Sequence, residues 1–507
     1  MRDLIERRFV LFGLVAGALG ALFFMGWISQ PATGGPGGAA AAPRAVPVTS
    51  AISSCPAPGP GRVAVFAAPG GQAGQGRAEV VGAPSMAIAA AGSGGSSAAA
   101  SIGNGLGSSG STSAAPLLTL SQPGRLWLSK NGFAVARKPR ATGQVQTQSA
   151  AVIIEATGAM ARGLEAEQTA YPPNGSAGTV SGVQCSRPGT DFWFLGPGPV
   201  QAAAIDVHLV NPDGVPAAVD VEIFTDTGPL QGNADTGIEV PPRSSVVQSV
   251  SKLVPGAQVV ALHVRTSVGR VVAAVQTAGV WWRPAAAPAA QMVIPGLPGT
   301  GPGRQLYLVD PGGSDAQVHV QAVTAAGTYE PAGAGGIDVP AGSVVAVDLP
   351  SLNGTPAALQ LQSATPVTAA LLAGDHAFTA ATPPLQQQGV VSDNESADGY
   401  TTSVVLSAPA GGAQVRITTA GTGSASGAGQ VVSIAPAHSA NVMVSAPRGG
   451  RDGFAIVISP MAGSGPVYAG RVLQSRTGGV QLITPVVSAP FSVPLPAVNG
   501  SLMATIP

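Results

Sequence analysis

The chain has 507 residues and a formal net charge of zero, with 24 basic and 24 acidic side chains. A neutral chain produces no long-range field that would attract nucleic acid or an acidic surface, so no nucleic-acid partner is expected. The 70 Gly and 46 Pro residues indicate flexible tracts between ordered domains, of which a chain of this length holds roughly three to four.

The N-terminus has the pattern of a membrane anchor. Three arginines among residues 1–8 precede Phe9–Ile28, a run of 20 residues without a charge. A helix of that length spans about 30 Å, the thickness of bilayer hydrocarbon. The arginines predict that residues 1–8 are cytoplasmic and that the chain after Gln30 is extracellular. We therefore expect a single-pass protein of the cell membrane; secretion after signal-peptide cleavage is the alternative.

Residues 29–54 are rich in Pro, Gly and Ala without periodicity, which predicts an extended spacer. A first module is predicted over residues 55–190, with a Gly/Ser insertion at residues 92–113. Within the insertion, Gly105-x-Gly107-x-x-Gly110 matches the dinucleotide fingerprint, but no strand leads into it and no helix follows. We therefore expect no cofactor.

The chain has two cysteines, Cys55 and Cys185, at the two ends of this predicted module. Neither lies at a cysteine or histidine spacing that would hold zinc, so no metal site is expected from them. Outside the cytoplasm, a lone pair of cysteines usually forms a disulfide. The sequence therefore predicts a Cys55–Cys185 disulfide that clamps the first module.

The rest of the chain is organised around a repeat. The stretch Phe194–Gly237 recurs, ungapped, 99 residues later, so that Asn211–Gly214 falls on Asp310–Gly313 and Gly237–Pro241 falls on Gly336–Pro340. A unit of that period is one small domain. We therefore expect a rod of modules and not a single catalytic core.

Alternating apolar residues define the strands of the second unit. Ile205–Leu209 and Val219–Ile223 alternate with polar residues on either side of the turn-forming Asn211–Gly214, which predicts a β-hairpin. Further short strands with turns between them follow as far as Val275. This pattern is typical of an antiparallel, immunoglobulin-like sandwich. A fragment of a propeller is the alternative, although no blade signature of about 40 to 50 residues is present.

The predicted fold class is therefore all-β, with tandem antiparallel β-sandwich modules after one N-terminal transmembrane helix. The later modules are predicted over residues 191–285, 291–380 and 400–484. In the third, Ala358–Leu361 and Val367–Leu372 are expected to be separate strands. Residues 485–507 form a Pro-rich, loosely held tail after an edge strand at Val480–Thr484.

Four blocks of the second unit carry a resemblance to a known family: Asp191–Gly196, Val210–Pro212, Val240–Ser244 and Val271–Trp282. They look like the repeat of a family of anchored or secreted proteins from high-GC Gram-positive bacteria (actinobacteria), catalogued as a domain of unknown function. The resemblance covers about residues 45–480, and the fourth unit departs from it because it lacks the aromatic opening and the double tryptophan. It implies an extracytoplasmic β-sandwich protein and brings no catalytic residue.

The histidines, the acidic stretch and the known catalytic motifs give little indication of a catalytic or metal site. His208, His263 and His319 occupy the outward phase of their strands, which predicts exposed positions. The acidic stretch Asp393–Gly399 is predicted to be a solvated linker, with calcium binding as the alternative. No nucleophile elbow, zinc-protease motif or Walker loop is present in the sequence. We therefore predict no catalytic residue.

Glutamates and aromatic residues leave two alternatives open. Glu155, Glu165 and Glu167 are predicted to be solvent-facing strand residues, and a general acid and base pair is the alternative. Trp193, Trp281 and Trp282 either seal successive modules as core residues or face a ligand and stack on sugar rings.

Two functional classes follow. The first is a membrane-anchored structural or interaction protein of the bacterial cell envelope, with a wall polymer or an envelope protein as its partner and no enzymatic activity. The alternative is a glycan-binding module or an envelope hydrolase with an unrecognised site. An acidic or nucleophilic cluster at a module junction would favour the hydrolase, and the sequence pattern shows none.

Overall fold

The computed structural model describes Gly20 and most of the chain from residue 44 to residue 495. The described ranges are 44–56, 62–67, 76–86, 118–120, 124–128, 149–172, 178–202, 204–230, 236–301, 303–350, 352–395, 399–421, 429–447, 454–477, 479–489 and 491–495. The predicted anchor Phe9–Ile28, apart from Gly20, and the insertion at residues 92–113 lie outside them. No helix within these ranges has the length and hydropathy of a membrane span.

The chain divides into two compact units, Pro47–Phe491 and a smaller one made of Met1–Val46 with Ser492–Pro507. In the smaller unit, β1 (Arg44–Pro47) pairs with the strand Ser492–Leu495. The predicted spacer and tail thus both contain a strand. The larger unit is all-β, as predicted, and its strands form several sheets that pack in sandwich-like pairs.

Sandwich 1 has two sheets, with strand orders β2-β7-β4-β5 and β6-β3-β8-β9. Its strands are β2 (Ser50–Cys55), β3 (Arg62–Ala67), β4 (Gly76–Met86), β5 (Leu118–Leu120), β6 (Gly124–Leu128), β7 (Ser149–Gly158), β8 (Glu165–Ala170) and β9 (Ser181–Cys185), with a 3-10 turn at Ala159–Ala161. Val65, Ile154 and Met160 pack between the sheets. Cys55 ends β2 and Cys185 ends β9, and they form a disulfide that joins the two sheets. The predicted disulfide is confirmed.

Sandwich 2 contains β10 (Asp191–Pro197), β11 (Asp206–Asn211), β12 (Ala217–Thr225), β13 (Gly228–Pro229), β14 (Ile238–Val240), β15 (Ser244–Ser249), β16 (Val259–Val268), β17 (Val272–Thr277) and β18 (Val280–Trp281). One sheet has the order β10-β16-β12-β13, with β14 also on β12, and the other has the order β18-β17-β11-β15. Phe194, Leu209 and Leu262 are fully buried in the core.

The predicted hairpin between β11 and β12 is wrong, because the two strands lie in different sheets. β11 pairs with β15 and β17, and β12 pairs with β13, β14 and β16. The buried Asn211 side chain holds the corner between them: its Nδ2 donates to the Val215 and Val240 carbonyls at 2.7 and 2.9 Å. Since a hairpin and a sheet-to-sheet corner show the same alternation and the same turn residues, the sequence pattern does not distinguish them.

Sandwich 3 contains β19 (Ala289–Leu297), β20 (Arg304–Val309), β21 (Ala316–Thr324), β22 (Gly327–Tyr329), β23 (Ile337–Val339), β24 (Val344–Leu349), β25 (Ala357–Ala373) and β26 (Ala377–Ala380). The two strands predicted at residues 358–372 are one strand of 17 residues, β25. Its first part pairs with β19 and β21, and its last part pairs with β20 and β26. Pro366 lies where the pairing changes from β21 to β20, at a point where no ladder needs its missing N–H.

The corner after β20 is built like the corner after β11. The Gly312 N–H donates to Asp310 Oδ1 at 2.7 Å, as the Asp213 N–H donates to Asn211 Oδ1 at 3.0 Å. The Ser343 hydroxyl donates to the Pro340 carbonyl at 2.7 Å, as the Ser244 hydroxyl, 99 positions earlier, donates to the Pro241 carbonyl. The sequence repeat therefore corresponds to the same local hydrogen bonds in sandwiches 2 and 3.

Sandwich 4 contains β27 (Gly389–Asn394), β28 (Tyr400–Ala408), β29 (Ala413–Gly421), β30 (Gln430–Ile434), β31 (His438–Val444), β32 (Phe454–Pro460), β33 (Tyr468–Ser475) and β34 (Val480–Val486), and the strand of the smaller unit is β35 (Ser492–Leu495). Its sheets have the orders β27-β32-β29-β30 and β31-β28-β33-β34. β34 is an edge strand, as predicted. β27 begins well before the predicted boundary at residue 400.

The sandwiches do not form the expected rod, because each packs on two others. β4 of sandwich 1 runs parallel to β15 of sandwich 2 within one sheet. Phe378 of sandwich 3 joins the core of sandwich 2, and Ile483 of sandwich 4 joins the core of sandwich 3. Phe66 of sandwich 1 packs with Val390 and Val457 of sandwich 4. The last sandwich therefore returns to the first, and residues 47–491 form one closed body.

The contact between sandwiches 3 and 4 requires glycine on both sides. A Cβ at Gly470 on β33 would lie 2.4 Å from Gly296 Cα on β19, and Gly296 itself has a φ of +81°. We expect Gly470→Ala to lower the free energy of unfolding by about 1–3 kcal/mol, because two backbones must move apart. Urea unfolding measures this loss. Gly214→Ala, whose Cβ meets nothing within 4 Å, is the matched control, and an equal loss in both variants would contradict the close contact.

Candidate functional site

Charged side chains meet inside the body where sandwich 4 packs on sandwich 1. We call this group the polar centre; its members are Glu165 and Glu167 of β8, Arg187 after β9, Arg283 after β18, Arg471 of β33 and Thr484 of β34. Strand alternation places Glu165 and Glu167 on one face of β8, the face opposite Ala166 in the core of sandwich 1. That face packs on sandwich 4 and not against solvent, so the prediction that these glutamates are exposed is wrong.

Glu167 and Arg471 form a buried ion pair, with 1% and 0% of their surfaces exposed. Arg471 Nη2 donates to Glu167 Oε1 and to Thr484 Oγ1, and the Thr484 hydroxyl lies 3.2 Å from the same carboxylate oxygen. Burial raises the pKa of Glu167, and the charge of Arg471 opposes that rise. The pair joins residues 304 positions apart, so it connects sandwiches 1 and 4 directly.

Arg283 is the second buried cation of the polar centre, with 2% of its surface exposed. Its Nε donates to the Ile483 carbonyl at 3.1 Å. Its terminal nitrogens, Nη1 and Nη2, have no hydrogen-bond partner among the described residues. Burial lowers the pKa of Arg283 to about 10, and the neighbouring Glu167 opposes that change. The guanidinium therefore remains charged at neutral pH.

Glu165 lies beside a partly exposed partner. Gln184 Nε2 donates to Glu165 Oε1 at 2.9 Å, and Arg187 Nη2 lies 3.6 Å from Oε2. Burial raises the pKa of Glu165 to about 7, although Arg187 and Gln184 both lower it. The carboxyl group therefore changes its charge near neutral pH, which is uncommon for a glutamate and is frequent at functional sites.

A cavity of about 140 Å³ adjoins the polar centre. Its polar lining residues include Glu165, Gln184, Ser186, Arg187, Arg283 and Thr382. Its apolar wall includes Val183, Phe194, Ala273, Trp282, Pro284 and Val487. Thr382 donates its backbone N–H to the Val293 carbonyl of sandwich 3, so the cavity touches all four sandwiches. It combines buried charged side chains with open space.

The histidines fall into two groups. His319 is exposed, as predicted. His208 and His263 are 9% and 8% exposed, so the prediction of exposed positions is wrong for both. His208 packs against Trp281 with ring centres 5.0 Å apart, and burial lowers its pKa.

His263 lies under Trp193, with ring centres 3.9 Å apart. Its Nδ1 is 2.9 Å from Glu222 Oε2 and its Nε2 is 3.2 Å from Asp191 Oδ2. Among the residues that the structure describes, no group of three or more His, Cys, Asp or Glu side chains could hold a metal ion.

The three tryptophans predicted either to seal modules or to face a ligand are all buried. Trp193, Trp281 and Trp282 are 4%, 7% and 1% exposed. Trp282 stacks on Phe378 of sandwich 3 with ring centres 5.7 Å apart, and Trp281 packs with Val183 of sandwich 1. None of the three presents an open ring face on which a sugar could stack. Trp282 does line the cavity.

The predicted acidic linker is also part of the interior. Asp393 and Asn394 are fully buried at the end of β27, and Glu395 is 7% exposed. Residues 396–398 lie outside the described residues. The prediction of a solvated linker is therefore wrong for residues 393–395, because β27 adds a strand to sandwich 4. The charge of Asp393 contributes to raising the pKa of Glu167.

Glu155 does not join the other two glutamates. It lies on β7, in the opposite sheet of sandwich 1, and its Oε1 accepts from Arg243 Nη1. The proposed acid and base pair could therefore involve Glu165 and Glu167 alone. The polar alternation of Glu165, Glu167 and Thr169 is visible in the sequence and indicates a solvent-facing side of β8. In the structure both faces of β8 are buried.

Because the pKa of Glu165 is raised, we expect the free energy of unfolding to fall as the pH rises. The folded chain keeps this proton up to about pH 7, whereas the ordinary glutamate pKa is 4.5. The stabilising contribution is therefore complete below pH 4.5 and is lost as the pH rises through 7, by about 3 kcal/mol in total. Urea unfolding of the wild type and Glu165→Gln at pH 5 and pH 8 measures this loss. The wild type should lose stability relative to the variant at pH 8, and a constant difference would contradict the raised pKa.

Comparison with known proteins gives a family and nothing more specific. The sequence profile of a family of unknown function, DUF5719, matches residues 141–446, less than the span of about 45–480 inferred from the sequence blocks. No curated protein and no solved structure matches the chain. The match covers more than half of the chain, from the last part of sandwich 1 into sandwich 4. The chain therefore belongs to DUF5719, a family of unknown function.

Proposed function

We propose that this chain is an extracytoplasmic structural or interaction protein of the bacterial cell envelope, tethered by an N-terminal transmembrane helix. The observation that carries the proposal is the Cys55–Cys185 disulfide in the core of sandwich 1. Disulfides persist in oxidising compartments and are rare in the cytosol. The arginines followed by the apolar run Phe9–Ile28 support the same location.

The buried charged side chains bond to one another and to the backbone across sandwiches, which supports a structural role. Glu167, Arg471 and Thr484 bond to one another across sandwiches 1 and 4, and Arg283 bonds to the backbone of β34. A buried ion pair costs desolvation, and its best-attested use is to specify one arrangement of the parts it joins. We infer that immunoglobulin-like sandwiches held in one closed arrangement present a rigid outer surface to a wall polymer or an envelope protein.

The location is tested in cells that express the full chain with a C-terminal tag. We expect the tagged protein in the membrane fraction, and we expect added protease to degrade it once the wall has been removed from intact cells. Thiol labelling after denaturation should find both cysteines oxidised. A protein that is protected from protease and has free thiols would contradict the proposal.

The partner class is tested by co-sedimentation with isolated wall material and by crosslinking in cells. Retention by the wall or one discrete crosslinked protein would support the interaction role. Release of soluble sugar from the wall would instead identify a hydrolase. Glu165→Gln serves as the diagnostic variant in that case, because a glutamate with a pKa near neutrality suits a general acid.

A further inference from the structure

The cavity beside the polar centre is lined by a buried cation whose hydrogen-bonding capacity the neighbouring ion pairs do not satisfy. Arg283 lines it, is 2% exposed, and has two terminal nitrogens without a hydrogen-bond partner among the described residues. Trp282 Nε1 and Thr382 Oγ1, which belong to two further lining residues, are also buried and without a partner there. Buried donors are almost always satisfied in folded proteins, so these groups call for an acceptor.

The nearby carboxylates do not supply that acceptor directly. Glu167 Oε1 accepts from Arg471 and Thr484, and Glu165 bonds to Gln184 and pairs with Arg187. Glu167 Oε2 has no hydrogen-bond partner among the described residues, so it does not bond to Arg283 either. No hydrogen bond joins either carboxylate to Arg283 among the described residues. An oxyanion is the acceptor that a guanidinium binds best, because two parallel N–H groups match two oxygens.

The size and the apolar lining of the cavity define the rest of the ligand. A volume of about 140 Å³ is close to that of a cavity of about 150 Å³ that holds benzene, which has six non-hydrogen atoms. Most of the remaining lining is apolar and includes Val183, Phe194 and Pro284. Inorganic phosphate would leave that lining without a partner, whereas a short hydrocarbon chain would cover it.

We propose that the cavity binds a short-chain organic carboxylate of about six non-hydrogen atoms, with its carboxylate on Arg283 and Thr382 and its hydrocarbon part against the apolar wall. Binding at this site does not depend on the envelope location, because only the cavity is involved. The ligand lies at the junction of the four sandwiches and stabilises their arrangement when bound.

Isothermal titration of the full chain with isobutyrate tests the proposal, with isobutyramide as the neutral probe of the same size and inorganic phosphate as the anion without a hydrocarbon part. We expect saturable binding of isobutyrate at one site per chain, with a Kd on the order of 0.1–1 mM for so small a ligand. Isobutyramide and phosphate should each bind at least tenfold more weakly. No saturable binding of isobutyrate, or equal binding of either comparison probe, would overturn the proposal.

Variants place the ligand in the cavity. Thr382→Val keeps the shape of the side chain and removes one donor, so we expect isobutyrate to bind about five- to tenfold more weakly. Arg283→Lys should weaken binding further because the bidentate geometry is lost. Thr382→Val keeps the test valid if Arg283→Lys does not fold. Arg416→Gln, which removes an exposed arginine of β29, is the control, and an unchanged affinity in Thr382→Val or an equal loss in Arg416→Gln would overturn the placement.

Discussion

Replacing Glu167 with glutamine should lower the free energy of unfolding by about 3–5 kcal/mol, because removing one partner of a buried ion pair leaves the other charge uncompensated. The effect is expected at the upper end of that range. Arg283 and Arg471 both remain without their carboxylate, and the charge of Arg471 already lowers the pKa of Arg283. The change keeps the size of the side chain, so the loss reports charge and not packing.

Arg471→Met should cost less, about 3 kcal/mol, since Glu167 would still face the charge of Arg283. The double variant Glu167→Gln/Arg471→Met should lose less than the sum of the single changes, because the two groups interact directly. Urea unfolding of the four proteins gives this coupling energy. The control is Arg265→Met, whose partner Glu222 is exposed, with an expected loss below about 1 kcal/mol. A loss in Glu167→Gln no larger than in this control would contradict a buried pair.

Removing the disulfide should have the second large effect. Cys55 and Cys185 are 130 residues apart, and the chain-entropy relation gives about 5 kcal/mol for a loop of that length. The double variant Cys55→Ala/Cys185→Ala should therefore unfold at a markedly lower urea concentration than the oxidised wild type.

Reduced wild type provides the control for the two alanine substitutions. Both cysteines are buried, so reduction is expected only when the protein is unfolded, and it should raise the mass by that of two hydrogens. Reduced wild type and the double variant should then show similar stability. Equal stability of the oxidised wild type and the double variant would show that the crosslink does not hold the two sheets of sandwich 1.

Strand positions could be predicted from the sequence because alternation depends on each strand alone. Val219–Ile223 alternates and lies within β12, and the predicted edge strand Val480–Thr484 lies within β34. Pairing could not be predicted in the same way. The corner at Asn211 joins strands of different sheets, and only the bonds of its side chain to Val215 and Val240 reveal this.

The polar centre could not be predicted because alternation does not say what lies outside a sandwich. Glu165 and Glu167 have the phase of solvent-facing residues, yet sandwich 4 covers that face of β8. His208 has the same phase and is covered by Trp281. By contrast, the disulfide was predictable because the chain offers one pairing. Wherever a closed body places one sandwich on another, polar residues of the outer phase become interior residues.

Closure of the sandwiches into one body is tested most directly by small-angle scattering of a chain from Pro47 to Phe491, the larger unit alone. A compact fold of that length has a radius of gyration of about 22–25 Å. Sandwiches arranged end to end would give a value on the order of 40 Å, since each is about as large as a single 100-residue domain. A value near the first figure in the wild type, rising in Glu167→Gln, is the predicted result. A value near 40 Å in the wild type would contradict the contact between Glu167 and Arg471 that closes the body.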